Sequence, residues 1–309
     1  MAPPPAPQQT ALALDRRFWL VLGSLALVWG SSFAANRAAL SALDATTALA
    51  LRSLLSAVLM WSLVLWRGLA VPKRPTVWLG LAGLGCMATL APNFLVLWGQ
   101  QFVPSGLAGI LNASTSLFTV AFASLLMRDE RLTIHRAAGV ICGFVGVAFA
   151  LGAGNLSGFD AASLGQLAII LAAAVYASSG VLARRFVRDT APEVVVAIYL
   201  TTTSFVSLPL ALSANGVPSL DLGLRAWLGL GFLVVFVSVW SYLLVYANLR
   251  RYGASNLNLA NLLTGPVAVI LGAVLFGESL SSDSYFGFAL IGIGLVVIDG
   301  RILPERMRR

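Results

Sequence analysis

The sequence predicts an all-α membrane protein with ten transmembrane helices, from its composition and from the lengths of its apolar stretches. Of its 309 residues, 59% are hydrophobic and only 10% are charged, and the mean hydropathy is +0.88. A soluble domain would carry about a quarter charged residues. Ten stretches have about the 20 apolar residues that a helix needs to cross a bilayer. They are residues 18 to 38, 46 to 66, 77 to 98, 103 to 126, 133 to 152, 163 to 184, 192 to 212, 225 to 248, 254 to 276 and 283 to 303.

These stretches and their short turns account for almost the whole chain, so we expect no folded domain outside the membrane. Residues 1–14, rich in Pro and Ala at their start, are expected to form a disordered tail, and residues 304–309 a basic tail. The first apolar stretch is too long for a removable signal peptide and lacks a clear cleavage site. Cys86 and Cys142 have no metal-ligand spacing and are expected to be free thiols. We expect neither a metal nor a cofactor.

The remaining residues form two similar halves, 15–155 and 156–303. Trp29-Gly30-Ser31-Ser32 returns 147 residues later as Tyr176-Ala177-Ser178-Ser179, and Trp78 returns 149 residues later as Trp227. Each half has five predicted helices, which is an odd number, so the second half enters the membrane from the opposite side. We therefore predict two inverted five-helix repeats, a construction found in transporters that alternate access around a central site.

The positive charges predict the orientation of the chain. Seventeen of the 20 Lys and Arg residues fall on one side of the ten-helix arrangement. The positive-inside rule makes that side cytoplasmic, together with both termini. The net charge of +8 is thus a topology signal, and no nucleic-acid partner is expected. The far side carries Arg37 and Arg225 with five acidic residues, namely Asp44, Asp160, Asp221, Glu278 and Asp283.

Several motifs, in order along the chain, resemble those of a known family. They are Trp29-Gly30-Ser31-Ser32-Phe33, Leu51-Arg52-Ser53, the turn from Glu130 to Thr133, Thr264-Gly265-Pro266, and the glycines of the fifth helix in each half. Over about residues 15 to 303 the chain resembles the EamA-type transporters of the drug/metabolite transporter superfamily. That resemblance implies a multi-pass protein of the cytoplasmic (inner) membrane that exports amino acids and related metabolites. The halves differ in that helix 7 has no partner for Arg52.

The ionisable groups limit the coupling mechanism. All 12 acidic residues fall at helix ends or in loops, so none is placed mid-bilayer to carry a coupling proton or sodium ion. We favour a facilitator, an exchanger, or a proton-coupled carrier that uses groups at helix ends. Arg52, about two turns into helix 2, has two interpretations. It either snorkels or bonds to backbone carbonyls or to Asp44, or it contacts an anion or acts as a gate.

Polar and aromatic residues inside the predicted helices are the candidates for substrate binding. An unpaired amide is costly in hydrocarbon, so each asparagine must bond to another helix or face a wet cavity. The aromatic residues either pack, form an interfacial belt or line that cavity. Because Trp29 and Tyr176 are equivalent in the two halves, we predict that they form opposing walls. The candidates are Trp29, Ser32, Asn93, Trp98, Asn112, Tyr176, Trp240, Tyr242, Tyr246 and Asn261.

Aromatic and amide walls suit a neutral or zwitterionic solute with an apolar part, such as an aromatic amino acid. The leading prediction is therefore a secondary transporter that exports such metabolites by alternating access around a midplane cavity. A permease for phosphorylated sugars or nucleotide sugars is the alternative, although those anions would require several intramembrane cations beyond Arg52. A membrane-embedded lipid-modifying enzyme would require clustered Asp or His, and the single His135 lies in a basic loop. A channel is disfavoured, because no ring of charge or filter motif is present.

The expected partners are a small solute and the lipid bilayer. Small residues in the fifth helix of each half could either pack helices closely within the chain or form a dimer interface, so a monomer or a weak homodimer is expected. These residues are Gly139, Gly143, Gly146, Gly287, Gly292 and Gly294.

Overall fold

The computed structural model describes residues 16–126, 133–152, 160–186, 190–252 and 260–299, and all regular structure in these ranges is helical. Both tails and residues 130–132 of the predicted turn lie outside the described residues. We number the helices α1 to α10 along the chain. They are α1 (Arg16–Ala39), α2 (Ala45–Trp66), α3 (Pro75–Gly99), α4a (Ser105–Asn112) and α4b (Thr115–Leu126), α5 (Ile134–Ala150), α6 (Ala161–Phe186), α7 (Pro192–Asn215), α8 (223–252), α9 (Ala260–Phe276) and α10 (Ser282–Asp299).

Most of these helices could cross a bilayer. Within the described residues, seven helical stretches are at least 18 residues long and sufficiently apolar: α1, α2, α3, the two parts of α4 together, α6, α7 and α8. The stretches Ile134–Ala150, Leu263–Phe276 and Ser282–Ile298 are apolar but shorter. The chain is thus a multi-pass helical membrane protein. The count of ten crossings, the inverted relation of the halves and the sidedness of the termini stay predictions.

Two equivalent helices depart from α-helical geometry at equivalent positions. A π-helical segment runs through Cys86–Leu90 in α3, and another through Leu233–Trp240 in α8. Thr89 lies in the first and Ser238 in the second, 149 residues apart, which is also the spacing of Trp78 and Trp227. A π-helical turn widens the helix by one residue and is frequent at functional sites. The fold therefore repeats this feature once in each half.

The bundle has two ends, each held by an ion pair. At the Glu278 end, Arg37 at the end of α1 pairs with Glu278, which follows α9. At the Glu193 end, Arg67 follows α2 and pairs with Glu193 in the first turn of α7 at 2.9 Å. No other ion pair is found within the part of the chain that the structure describes.

Helices α2 and α7, the second helix of each half, pack against each other in opposite directions. Near the Glu193 end, the indole Nε1 of Trp61 donates to Thr201 Oγ1 at 2.8 Å. Two turns earlier on α2, the Ser53 hydroxyl lies 3.4 Å from that of Ser207, which comes later on α7. The order of contacts along one helix is thus reversed along the other, so the pair is antiparallel.

Helices α5 and α10 form a second antiparallel pair, packed through glycine. A Cβ added at Gly139 would lie 2.5 Å from the carbonyl oxygen of Gly294, and one at Gly146 would lie 2.6 Å from that of Gly287. Because such separations are shorter than van der Waals contact, only glycine permits this approach of the backbones. Close packing within the chain therefore accounts for these glycines. Cys142, also on α5, and Cys86 are both free thiols, as predicted.

This packing predicts different effects of alanine at two glycines. We expect Gly146→Ala to lower the free energy of unfolding by about 1–3 kcal/mol, because the new methyl group overpacks the α5–α10 interface. Gly292→Ala on α10 is the matched control, since no atom lies within 4 Å of an added Cβ there. It should be neutral or stabilising by up to about 1 kcal/mol, the helix propensity gain of alanine. Thermal unfolding of the purified proteins in detergent measures both, and equal effects would contradict the packing account.

Candidate substrate-binding site

The candidate site is centred on Arg52 of α2. Its side chain is only 9% exposed, and its Cα lies about 10 Å, or two helical turns, from the start of α2. The guanidinium Nε donates to the Ser238 hydroxyl of α8, and Nη1 donates to the side-chain oxygen of Asn93 on α3, each at 3.2 Å. A buried cation needs such partners, because leaving water without them is costly. Arg52 thus brings α2, α3 and α8 together.

Asn93 extends the network to α6. Its Oδ1 also accepts a hydrogen bond from the Tyr176 hydroxyl at 3.0 Å, and its Nδ2 donates to the backbone oxygen of Thr89 at 2.7 Å. Because Oδ1 accepts from two donors and Nδ2 donates to a carbonyl oxygen, the orientation of the amide is fixed. Tyr242 of α8 lies close enough to Arg52 to interact with it electrostatically. We call Arg52, Asn93, Tyr176, Ser238 and Tyr242 the Arg52 network.

The network draws on both halves of the chain and stays partly accessible. Helices α2 and α3 belong to the first half, and α6 and α8 to the second. The side chains of Asn93, Tyr176 and Tyr242 are each partly exposed, whereas Arg52 and Ser238 are buried. A solute that reaches the tyrosines and the asparagine would therefore touch groups from both halves at once.

Of the contacts expected for Arg52, the bond to Asp44 is not made. The Asp44 carboxylate caps its own helix instead, accepting from the backbone N–H of Thr46 at 2.9 Å and of Thr47 at 3.0 Å. Among the described residues, neither ion pair within 4.0 Å includes Arg52. The acceptors of Arg52 are neutral side chains on other helices. Its charge is therefore not balanced by any carboxylate in the described ranges.

The other π-helical segment makes a similar contact without a charge. The Thr89 hydroxyl lies 2.7 Å from that of Thr203 on α7 and 3.3 Å from the backbone oxygen of Tyr199. Thr89 on α3 thus contacts α7, and in the same way Ser238 on α8 contacts α2. The two contacts are equivalent in position, but only the one in the Arg52 network carries a cation.

The structure places the remaining aromatic candidates outside the network. Trp29 packs against a cluster that includes Leu233 of α8, whereas the polar contact of Tyr176 is with α3. Trp98 packs at the Glu278 end, edge-to-face with Phe102 at 5.2 Å between ring centroids. Trp240 is 37% exposed on the surface of the bundle. The side chain of Tyr246 lies outside the described residues.

The remaining polar candidates form no hydrogen bond to Arg52 in the part of the chain that the structure describes. The Ser32 hydroxyl donates to the backbone oxygen of Trp29 on its own helix at 2.6 Å. Asn112 ends α4a, where the helix is interrupted, and its buried Oδ1 has no hydrogen-bond partner among the described residues. Asn261, its equivalent on α9, is partly exposed. Of the predicted residues, Arg52, Asn93, Tyr176 and Tyr242 are thus brought together.

Sequence reasoning missed Ser238 and the surroundings of Glu278. The Glu278 carboxylate is 5% exposed and accepts from the backbone N–H groups of Ser105 and Gly106, each at 3.0 Å, and from the Ser105 hydroxyl. A carboxylate at the start of a helix also interacts favourably with the helix dipole. Arg37 and Arg225 flank the ring of Phe276, at 5.1 and 4.7 Å from its centroid. The Glu278 end therefore joins α1, α4a, α8 and α9.

A bundle of long apolar helices with a buried polar network shared between two halves is typical of a secondary transporter. The sequence profile of the EamA-like transporter family matches residues 17–152 and, a second time, residues 163–299. The chain therefore belongs to the EamA-like transporter family.

Named relatives are also transporters, and one solved structure shares the fold. The chain is 25% identical to "Uncharacterized inner membrane transporter YedA" of Escherichia coli K12, over 90% of this chain and 89% of the relative. It is 25% identical to "Probable amino-acid metabolite efflux pump" of Salmonella typhimurium, over 92% and 94%. A solved crystal structure with 23% sequence identity superposes with a TM-score of 0.66 over 94% of this chain and 98% of that chain, which shows that the fold is shared.

The two ion pairs predict unequal losses when each carboxylate is replaced by an amide. Glu278→Gln should lower the free energy of unfolding by about 2 kcal/mol, because a buried carboxylate with charged and backbone donors is lost. Glu193→Gln is the matched control and should cost less than about 1 kcal/mol, because the Glu193 side chain is 19% exposed against 5% for Glu278. Thermal unfolding in detergent compares them, and a larger loss for Glu193→Gln would refute the difference.

The cap of α2 predicts a pH-dependent stability. Burial alone would raise the pKa of Asp44, but the hydrogen bonds from Thr47 and Thr46 outweigh it, so the pKa lies below its ordinary value of 3.8. A lowered pKa means that the stabilisation is present above pH 3.8 and lost as the pH falls through the folded-state pKa. Asp44→Ala should cost about 1 kcal/mol at pH 7, and Asp44→Asn much less. The difference between wild type and Asp44→Ala should shrink below pH 3.8, as unfolding at several pH values would reveal.

Proposed function

We propose that the protein exports small organic metabolites, amino acids among them, by alternating access between two inverted five-helix halves. The observation that carries this proposal is the Arg52 network, in which a buried cation and partly exposed aromatic and amide groups come from helices of both halves. Movement of one half against the other would change the distances within the network. The contacts of a solute bound there would therefore differ between the inward-facing and outward-facing states.

The antiparallel pairs support the inverted arrangement. Helices α2 and α7 are equivalent in the two halves, as are α5 and α10, and each pair runs in opposite directions. Equivalent helices that cross a membrane in opposite directions are what an inverted repeat requires. The proposal includes ten crossings, with both termini in the cytoplasm and the Glu278 end on the outer side.

The two ends supply the contacts that would open and close in turn. At the Glu278 end, one carboxylate joins the start of α4a to Arg37 of α1. At the Glu193 end, the ion pair with Arg67 joins α2 to α7. These groups lie at helix ends, so a facilitator, an exchanger, or a carrier coupled through end-of-helix groups fits better than a pump with an acidic switch at the midplane.

Amino acids are the proposed solutes, and the inner membrane the proposed location. The name of the Salmonella relative refers to amino-acid metabolite efflux, and that of the Escherichia coli relative to the inner membrane. The α5–α10 glycine contacts are made within one chain, which favours a monomer.

Counterflow in proteoliposomes tests the proposal. Vesicles loaded with unlabelled phenylalanine should accumulate labelled phenylalanine transiently, because a carrier exchanges one solute for another across the membrane. Empty vesicles with protein and loaded vesicles without protein are the controls. Equilibration at the same rate with and without internal solute would indicate a channel. No movement of any compound in an amino-acid panel would contradict the substrate class.

Cross-linking tests alternating access. In a protein with Cys86 and Cys142 replaced by Ala, we would pair Arg37→Cys with Glu278→Cys, and separately Arg67→Cys with Glu193→Cys. A short bifunctional thiol reagent with a reducible linkage should abolish counterflow in either pair, because a carrier must open both ends. Reduction should restore it, and each single-cysteine variant should be unaffected by the reagent. Full transport with both ends cross-linked would contradict the mechanism.

A further inference from the structure

Arg52 has more hydrogen-bond donors than the structure occupies. A guanidinium has five N–H groups, and among the described residues only two of those in Arg52 find acceptors, one on Nε and one on Nη1. The remaining N–H of Nη1 and both of Nη2 are left, with the side chain more than nine-tenths buried. No Arg52 nitrogen is among the fully buried side-chain atoms that lack a partner in the described residues, so these donors open onto a space in which an acceptor can sit.

The unoccupied donors have a geometry that suits a carboxylate. Nη1 and Nη2 form the end of the guanidinium plane, and their parallel N–H bonds match the two oxygens of a carboxylate. Nε donates to Ser238 and Nη1 to Asn93, so partners on two other helices fix the plane before a ligand arrives. The Asn93 oxygen already accepts from two donors, and the hydroxyl of Tyr176 is directed to it. The free donors of Arg52 are therefore the unsatisfied part of the network.

The positive charge of Arg52 favours some classes of ligand over others. No carboxylate of the described residues lies within 4.0 Å of Arg52, so its positive charge is left for a ligand to balance. One carboxylate balances one guanidinium, whereas a phosphate dianion would leave a negative charge uncompensated. An amine or a quaternary ammonium ion without a carboxylate would meet a buried like charge, which interacts strongly because water does not screen it.

We propose that Arg52 binds the carboxylate of the transported solute, and that the site rejects organic cations that lack a carboxylate. Tyr176 donates to the same Asn93 oxygen as Arg52, and in this proposal the partly exposed Tyr176 and Tyr242 contact the apolar body of the solute. This inference rests on the proposed function and adds to it the group that recognises the carboxylate of an amino acid, and with it the exclusion of organic cations.

Ligands with a common apolar body test the inference on the wild-type protein. Phenylalanine, N-acetylphenylalanine and phenylalaninamide share a ring and differ in charge. In competition against labelled phenylalanine counterflow, the two carboxylates should compete, and phenylalaninamide should be weaker by about 100-fold or more, since a site built to bond a group rejects the analogue without it. Equal competition by phenylalaninamide would overturn the inference while leaving the transporter proposal intact.

Variants of Arg52 provide the second arm. Arg52→Gln should raise the concentration of phenylalanine needed for half-maximal counterflow by about 100-fold and abolish the preference over phenylalaninamide. Arg52→Lys keeps the positive charge but not the paired N–H groups of the guanidinium, so part of the preference for phenylalanine over phenylalaninamide should remain. Lys73→Gln, an exposed site between α2 and α3, is the matched loss of one charge and should behave as wild type. Wild-type preference in Arg52→Gln would overturn the inference.

A binding measurement covers the case in which a variant fails to fold or no amino acid is transported. Thermal unfolding of the wild-type protein should shift upward with phenylpyruvate or N-acetylphenylalanine, because a ligand that binds the folded state stabilises it. Phenethylamine at the same concentration should give no shift. An upward shift of the unfolding temperature with these carboxylates, but no transport of amino acids, would support the inference and contradict only the proposed substrate class. A shift with phenethylamine alone would contradict the assignment of Arg52.

Discussion

A guanidinium in the interior of an apolar bundle must be given hydrogen-bond acceptors, and the centre of this protein is arranged to provide them. Arg52 is two turns inside α2, and its acceptors come from α3 and α8 rather than from its own helix. The acceptor on α8 lies in a π-helical segment, and Asn93 is held by the backbone of the π-helical segment in α3. The π-helical segments of both helices thus help to position the acceptors of one buried charge. Tyrosines of α6 and α8 complete the network.

The two halves have similar backbones but different chemistry. Thr89 and Ser238 occupy equivalent places in the two π-helical segments, and each bonds across to the second helix of the other half. One contact is between two hydroxyls, and the other involves a cation. Duplication therefore supplies a symmetric framework, and the difference between Thr203 and Arg52 makes the site asymmetric. A solute with one charged end and one apolar end suits such a site better than a symmetric solute does.

The helices were predictable from hydropathy, because a bilayer requires long apolar segments whose polar backbone is satisfied internally. Asn93, Tyr176, Tyr242 and Arg52 were predictable as candidates, since polar groups within such segments are expensive. Their partners were not. Ser238 resembles many other serines in apolar helices, and only the 149-residue spacing from Thr89 could have singled it out. Glu278 accepts a hydrogen bond from Ser105, which is 173 residues away in the sequence. The charge pattern predicts that both residues lie on the same side of the membrane, but it does not predict that they touch.

The glycine packing of α5 against α10 has a symmetry that follows from the repeat. Gly139 and Gly146 correspond in sequence to Gly287 and Gly294, yet Gly139 faces Gly294 and Gly146 faces Gly287. Each helix thus offers the same surface to the other, as the two subunits of a twofold dimer do. The interface within this chain therefore has the geometry of a twofold homodimer interface.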